Sequence, residues 1–137
     1  MSNIGFVFPG QGSQKLGMLA DLASNFDVVK QTFAEASEAL GKDLWEITQT
    51  DQDEQLNQTD ITQPALLASS VAIWRVWQNL NGAQPSIVAG HSLGEYSAFV
   101  CAGVLAFDDA IRLVHQRGLF MQAAVAAGSG KMAAIVG

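Results

Sequence analysis

Gly90-His91-Ser92-Leu93-Gly94 sets a serine between two glycines, at the junction of an apolar run and an apolar helical stretch. A serine hydroxyl can attack acyl groups when a strained strand-to-helix turn pushes it out into solvent. Glycines two before and two after remove the Cβ atoms that would collide as such a turn closes. The helix that follows offers unpaired N–H groups and a dipole that favours negative charge. The Leu93 N–H is therefore placed to bind the oxyanion formed when Ser92 attacks a carbonyl. A glycine-rich turn in which Ser92 only caps the helix is the competing reading, and it leaves the paired glycines unexplained.

A serine nucleophile needs a general base. His91 is adjacent to Ser92, and adjacent residues at a strand end point to opposite sides, so it is poorly placed to take the proton. A structural or substrate-side hydrogen bond suits it better. His115 lies among Leu113, Val114 and Leu119 and reads as an interior histidine with a satisfied ring. The sequence holds only 2 histidines, so no base for Ser92 is evident.

The elements around the serine set its position. Residues 4–8 form a short apolar run stopped by Pro9-Gly10, which predicts a buried strand entering a tight loop. Helical periodicity follows over 18–23, over 28–40 and over 44–47. Val29, Phe33, Ala36 and Leu40 share one face of the second stretch, and Gly41 is its C′ residue. Residues 48–59 read as a polar surface connection with a helical turn near Leu56. Thr62 is expected to cap a long helix with Pro64 in its first turn, and Trp74 and Trp77 on that helix read as core. A second strand is expected over 86–89 and a helix over 96–102. A final helix, capped by Asp108 or Asp109, should run to about 126, and a third strand should span 132–136. Strands separated by helices predict an α/β fold with a parallel sheet.

Composition narrows the function classes. The chain has 137 residues, 49% of them hydrophobic, and a net charge of −6 from 13 acidic and 7 basic residues. That balance excludes a disordered tail, and without a Lys/Arg block it gives no footprint for nucleic acid or an anionic membrane. Cys101, the 1 cysteine, cannot form an internal disulfide or build a Cys-based zinc site. No apolar run suits a signal peptide or a membrane span, so a soluble cytoplasmic protein is expected.

Four motifs in order carry a resemblance: Phe8-Pro9-Gly10-Gln11-Gly12-Ser13-Gln14, Thr62-Gln63-Pro64-Ala65-Leu66, Gly90-His91-Ser92-Leu93-Gly94-Glu95 and Arg117-Gly118. Together they resemble the malonyl-CoA:acyl-carrier-protein transacylase family of fatty acid and polyketide synthesis, over essentially the whole chain. The resemblance implies that Ser92 is acylated and that Gln11 and Leu93 donate backbone N–H groups to the oxyanion. It implies that Arg117 pairs with the malonyl carboxylate and that Gln63 lines the same pocket, with His91 on the substrate side. Malonyl-CoA would be the substrate and acyl carrier protein the partner, whose phosphopantetheine thiol takes the malonyl group. No metal or bound cofactor is implied. A guanidinium can meet a carboxylate with two parallel hydrogen bonds, which supports the role of Arg117, although a helix arginine favoured by the dipole is the plainer reading of that residue alone.

By the same resemblance, residues 1–130 are the N-terminal part of an α/β-hydrolase-like domain, and 131–137 begin a ferredoxin-like subdomain. Family chains are about twice as long, with their catalytic histidine in the later half. A truncated chain with little activity of its own is therefore expected. The full-length form should be monomeric, whereas this chain should expose sheet edge and self-associate. Two other functions compete: a serine esterase or thioesterase of α/β-hydrolase type, and a non-catalytic fragment that docks the carrier protein.

Overall fold

The computed structural model describes residues 3–131, 133 and 135–137. In chain order the elements are β1 (Gly5–Phe8), α1 (Ala20–Asn25), α2 (Asp27–Leu40), α3 (Leu44–Gln49), α4 (Thr59–Asn79), β2 (Ile87–Gly90), α5 (Leu93–Cys101) and α6 (Phe107–Ala123). β1 and β2 pair in parallel, with Gly5 opposite Ile87 and Phe8 opposite Gly90. The chain is therefore α/β with a small parallel sheet, as its alternation of strands and helices predicts.

α4 forms the centre. Every residue from 61 to 72 is buried, the polar Thr62, Gln63, Ser69 and Ser70 among them, so other elements enclose this stretch on all sides. α2, α5 and α6 surround it. From α2, Val29, Phe33 and Ala36 reach this core fully buried, so the expected apolar face is present, and Gly41 follows as the C-cap. Phe6 of β1 stacks edge-on against Trp74 and Trp77 of α4, each at 5.4 Å between ring centroids. Both tryptophans thus serve the packing, as their spacing predicts.

Several boundaries differ from expectation. α4 begins at Thr59, so Thr62 is not the cap. Its hydroxyl instead donates to the carbonyls of Leu56 (2.5 Å) and Gln58 (3.0 Å) from inside the helix. Pro64 consequently sits in the second turn, where a missing N–H leaves the Asp60 carbonyl without its helical partner. α5 starts at Leu93, directly after the serine, rather than at 96. α6 starts at Phe107 behind Ala106, which offers no side-chain cap, and ends at Ala123. Asp108 and Asp109 lie within its first turn and pair with Arg112 at 3.1 Å each. The expected strand over 132–136 lies partly outside the described residues. Those described there have no strand pairing, and Ile135 is 95% exposed.

Parallel pairing brings both strands out at the same end of the sheet. The loop after Phe8 and the turn after Gly90 therefore emerge side by side, where open parallel sheets present their ligand sites.

Candidate active site

The turn after β2 is as tight as its two glycines imply. A Cβ on Gly90 would stand 2.0 Å from the Gly94 carbonyl carbon, and one on Gly94 would stand 2.1 Å from the Phe8 carbonyl oxygen. Neither position tolerates a side chain. Between them Ser92 takes φ 54° and ψ −110°, a left-handed conformation that costs a non-glycine residue on the order of 1–3 kcal/mol and persists only where the surroundings enforce it. Its side chain makes no capping bond to α5, so a capping role does not account for it. Leu93 is the first residue of α5, with its side chain buried and its N–H among those that a helix start leaves unpaired.

The exposed hydroxyl faces a cation. Arg117 Nη2 donates to Ser92 Oγ at 3.0 Å, and Nη1 donates to Gln63 Oε1 at 2.7 Å. Gln63 is fully buried on α4, and its Nε2 donates in turn to the Met121 thioether at 3.1 Å. The guanidinium also lies 5.5 Å from the Tyr96 ring centroid. Among the described residues the ion pairs are those of Arg75 and Arg112, so no carboxylate answers Arg117. A half-buried guanidinium without a counter-ion, beside an exposed hydroxyl, suits a ligand that carries a carboxylate next to an electrophile. Beside it opens a depression of about 430 Å³ lined by Tyr96, Leu113, Phe120 and Met121.

Gln11 stands on the loop after β1. Its Nε2 donates to Thr59 Oγ1 at 3.1 Å, while Gln14 Nε2 donates to Asn57 Oδ1 at 2.9 Å. The structure thus links Ser92 to Gln63 through Arg117, and it sets Leu93 and the Gln11 loop at the same sheet end. His91 is exposed and hydrogen-bonds through its backbone, to Phe8 O and from Gly94 N–H. His115 Nδ1 donates to the Asp60 carbonyl at 2.9 Å, which satisfies its ring as the sequence predicts. Neither histidine hydrogen-bonds Ser92. Sequence reasoning missed Thr59, Asn57, Tyr96 and Met121, since contacts across 48 or 58 positions leave no local pattern.

Among the described residues no group of three or more His, Cys, Asp or Glu side chains could hold a metal ion, and no helix is long and apolar enough to cross a membrane.

Residues 5–136 match the family model described as the acyl transferase domain. The malonyl CoA-acyl carrier protein transacylase of Salmonella typhimurium is 62% identical over 137 residues, which is all of this chain and 44% of that protein. Its namesake from Staphylococcus aureus is 44% identical over the same span. Among solved structures, the acyl carrier protein S-malonyltransferase of Vibrio cholerae superposes with a TM-score of 0.90 at 67% identity, covering 93% of this chain and 42% of that one. A malonyl-transacylase solved with a type II polyketide synthase acyl-carrier protein gives 0.88 at 67% identity, covering 90% and 40%. The chain thus spans less than half the length of these relatives.

Proposed function

The chain belongs to the acyl transferase domain family, and from that premise we propose that it carries the nucleophile-bearing part of a malonyl-CoA:acyl-carrier-protein transacylase. The observation that carries this reading is the guanidinium of Arg117, hydrogen-bonded to Ser92 Oγ and unmatched by any described carboxylate. Malonyl-CoA differs from acetyl-CoA by one carboxylate. Each charge-assisted hydrogen bond to that group contributes about 1.5–3 kcal/mol, enough to select the malonyl substrate.

The reaction takes two steps. Ser92 Oγ attacks the thioester carbonyl, and the N–H groups of Gln11 and Leu93 hold the oxyanion. The C–S bond then breaks, CoA leaves as its thiol, and malonyl-serine remains. The phosphopantetheine thiol of acyl carrier protein next attacks this ester and returns the hydroxyl to Ser92. In the free chain the Arg117 hydrogen bond occupies a lone pair of Ser92 Oγ. An arriving malonyl carboxylate draws the guanidinium away and releases that lone pair for attack. Gln63, anchored by Met121, keeps Arg117 from swinging out with its ligand, and His91 lies on the substrate side.

Among the described residues no hydrogen bond gives the proton of Ser92 an acceptor. His115 is committed to Asp60, and His91 does not reach the hydroxyl, so the base comes from outside these residues. The finer fold reading belongs to the same proposal. Residues 1–130 are the N-terminal part of an α/β-hydrolase-like domain, supported by the serine turn between β2 and α5, and 131–137 begin a ferredoxin-like subdomain. The reaction is a cytoplasmic step of fatty acid synthesis.

Intact-mass analysis after incubation with malonyl-CoA tests the proposal. One malonyl adduct should form slowly at neutral pH, faster in alkali where solvent supplies the base, and not at all on Ser92→Ala. Absence of the adduct under both conditions would overturn it. Release of free malonate without transfer to carrier protein would make the protein a hydrolase.

A further inference from the structure

We propose that the first turn of α4, through Thr59 and Asp60, is the positioning element that sets both the Gln11 loop and the Arg117 helix against Ser92. This rests on the roles given above to Gln11 and Arg117.

On the loop side, residues 9–14 have little to hold them locally. Their backbone bond within the turn, Ser13 N–H to Gly10 O, is long at 3.4 Å. Gln14 Oε1 accepts from Gly12 N–H at 2.8 Å, and the same side chain reaches across to Asn57. Gln11 reaches Thr59 by its own side chain at 3.1 Å. Two amide side chains thus moor the loop, one to Thr59 at the start of α4 and one to Asn57 just before it, and the Gln11 backbone N–H goes where they hold it.

Asp60, the next residue, faces α6. Its carbonyl, released by Pro64, accepts from His115, and its carboxylate accepts from Gln122 Nε2 at 2.8 Å. Between those contacts α6 lies against the bare backbone. A Cβ on Gly118 would stand 2.5 Å from Asp60 Cα and 2.8 Å from the Thr59 carbonyl oxygen. Arg117 is the residue beside Gly118, so the distance between the helices fixes how far its guanidinium reaches toward Ser92. The segment leading into the turn is itself hydrogen-bonded. Asp51 accepts from the N–H groups of Gln55 and Leu56, and Thr62 donates to Leu56 O.

The two arms predict different losses. Thr59→Val removes the acceptor of Gln11 at constant shape and disturbs an oxyanion contact that every acyl substrate needs. His115→Leu loosens the arginine arm, which only a carboxylate-bearing substrate uses. Displacements of about 1 Å at such sites cost up to about a hundredfold in rate. Acylation of Ser92 on the whole chain, followed by intact mass with malonyl-CoA and acetyl-CoA, should therefore fall about tenfold for both substrates in Thr59→Val. Thr59→Ser keeps the hydroxyl and should recover most of that loss. His115→Leu should lower the malonyl-over-acetyl preference about fivefold while the acetyl rate stays within about twofold. A purely structural role would lower both substrates alike in both variants, and that result overturns the proposal.

Amide hydrogen exchange provides a readout independent of the chemistry. Exchange over residues 9–14 should quicken in Thr59→Val and not in Thr59→Ser or His115→Leu. Unchanged exchange in Thr59→Val would also overturn the proposal. If the unaltered chain takes no malonyl group while exchange responds as described, the transacylase reading fails and the mooring of the loop stands.

Discussion

α4 and the sheet stand at opposite extremes of burial. From residue 61 to 72 every residue of the helix is buried, whereas Val7 of β1 is 83% exposed and Ile87 of β2 is 66% exposed. Both regions are apolar, so hydrophobicity alone does not decide where a residue ends up. α4 is enclosed because three helices pack around it. The sheet has α4 under the Phe6 and Phe8 face, and its other face lies open, although parallel sheets are commonly covered on both sides. Ser92 sits where these two regions meet. Its partner Arg117 is held by Gln63 of the enclosed helix, and its strained turn comes from the open sheet.

If enclosure is what separates the two regions, equal truncations must cost unequal amounts. Leu67→Ala on α4 should lower unfolding free energy by about 2–5 kcal/mol in a denaturant titration. Val7→Ala, which also shortens an apolar side chain, should stay within about 0.5 kcal/mol. Comparable losses would mean that Val7 is covered in solution. That outcome bears on a second measurement. The open face should drive self-association, seen by light scattering as a mass that rises with concentration. Val7→Lys should return the chain toward monomer without loss of stability. A stable monomer before substitution would remove the contrast.

A smaller effect locates the boundary between the regions. Burial pushes the Cys101 thiol, at the end of α5, up from 9.0 to about 12, with the Arg75 charge pulling weakly the other way. The unfolded thiol ionises first, so stability is intact below pH 9 and declines as pH rises toward 12. Comparison with Cys101→Ala across that window isolates the contribution. Identical slopes would place Cys101 on the solvent side.

Local patterns in the sequence located what depends on neighbours in the chain. The glycines at 90 and 94 announced the tight turn, because only backbone fits where their Cβ atoms would stand. The face of Val29, Phe33 and Ala36 announced α2. Thr62 and Pro64 have the chemistry of a helix start, yet α4 begins one turn earlier, at Thr59. Thr59 looked like part of a polar surface connection, since its partner Gln11 is 48 positions away. The contact between Gln63 and Arg117 spans 54 positions; the family resemblance sets both in one pocket, and spacing does not reveal the contact. Geometry between distant segments is set by packing, which single-residue preferences do not encode.

Pro64 has a consequence for how the molecule assembles. A helix normally closes all its interior carbonyls as soon as it forms, and can then wait for its neighbours. In α4 the Asp60 oxygen has no helical donor, and in the folded chain His115 of α6 supplies one. Docking of the second helix thereby exchanges a solvent hydrogen bond of the first for one from His115. The proline thus couples the two helices through one hydrogen bond, whose donor lies on the same helix that carries Arg117 to Ser92.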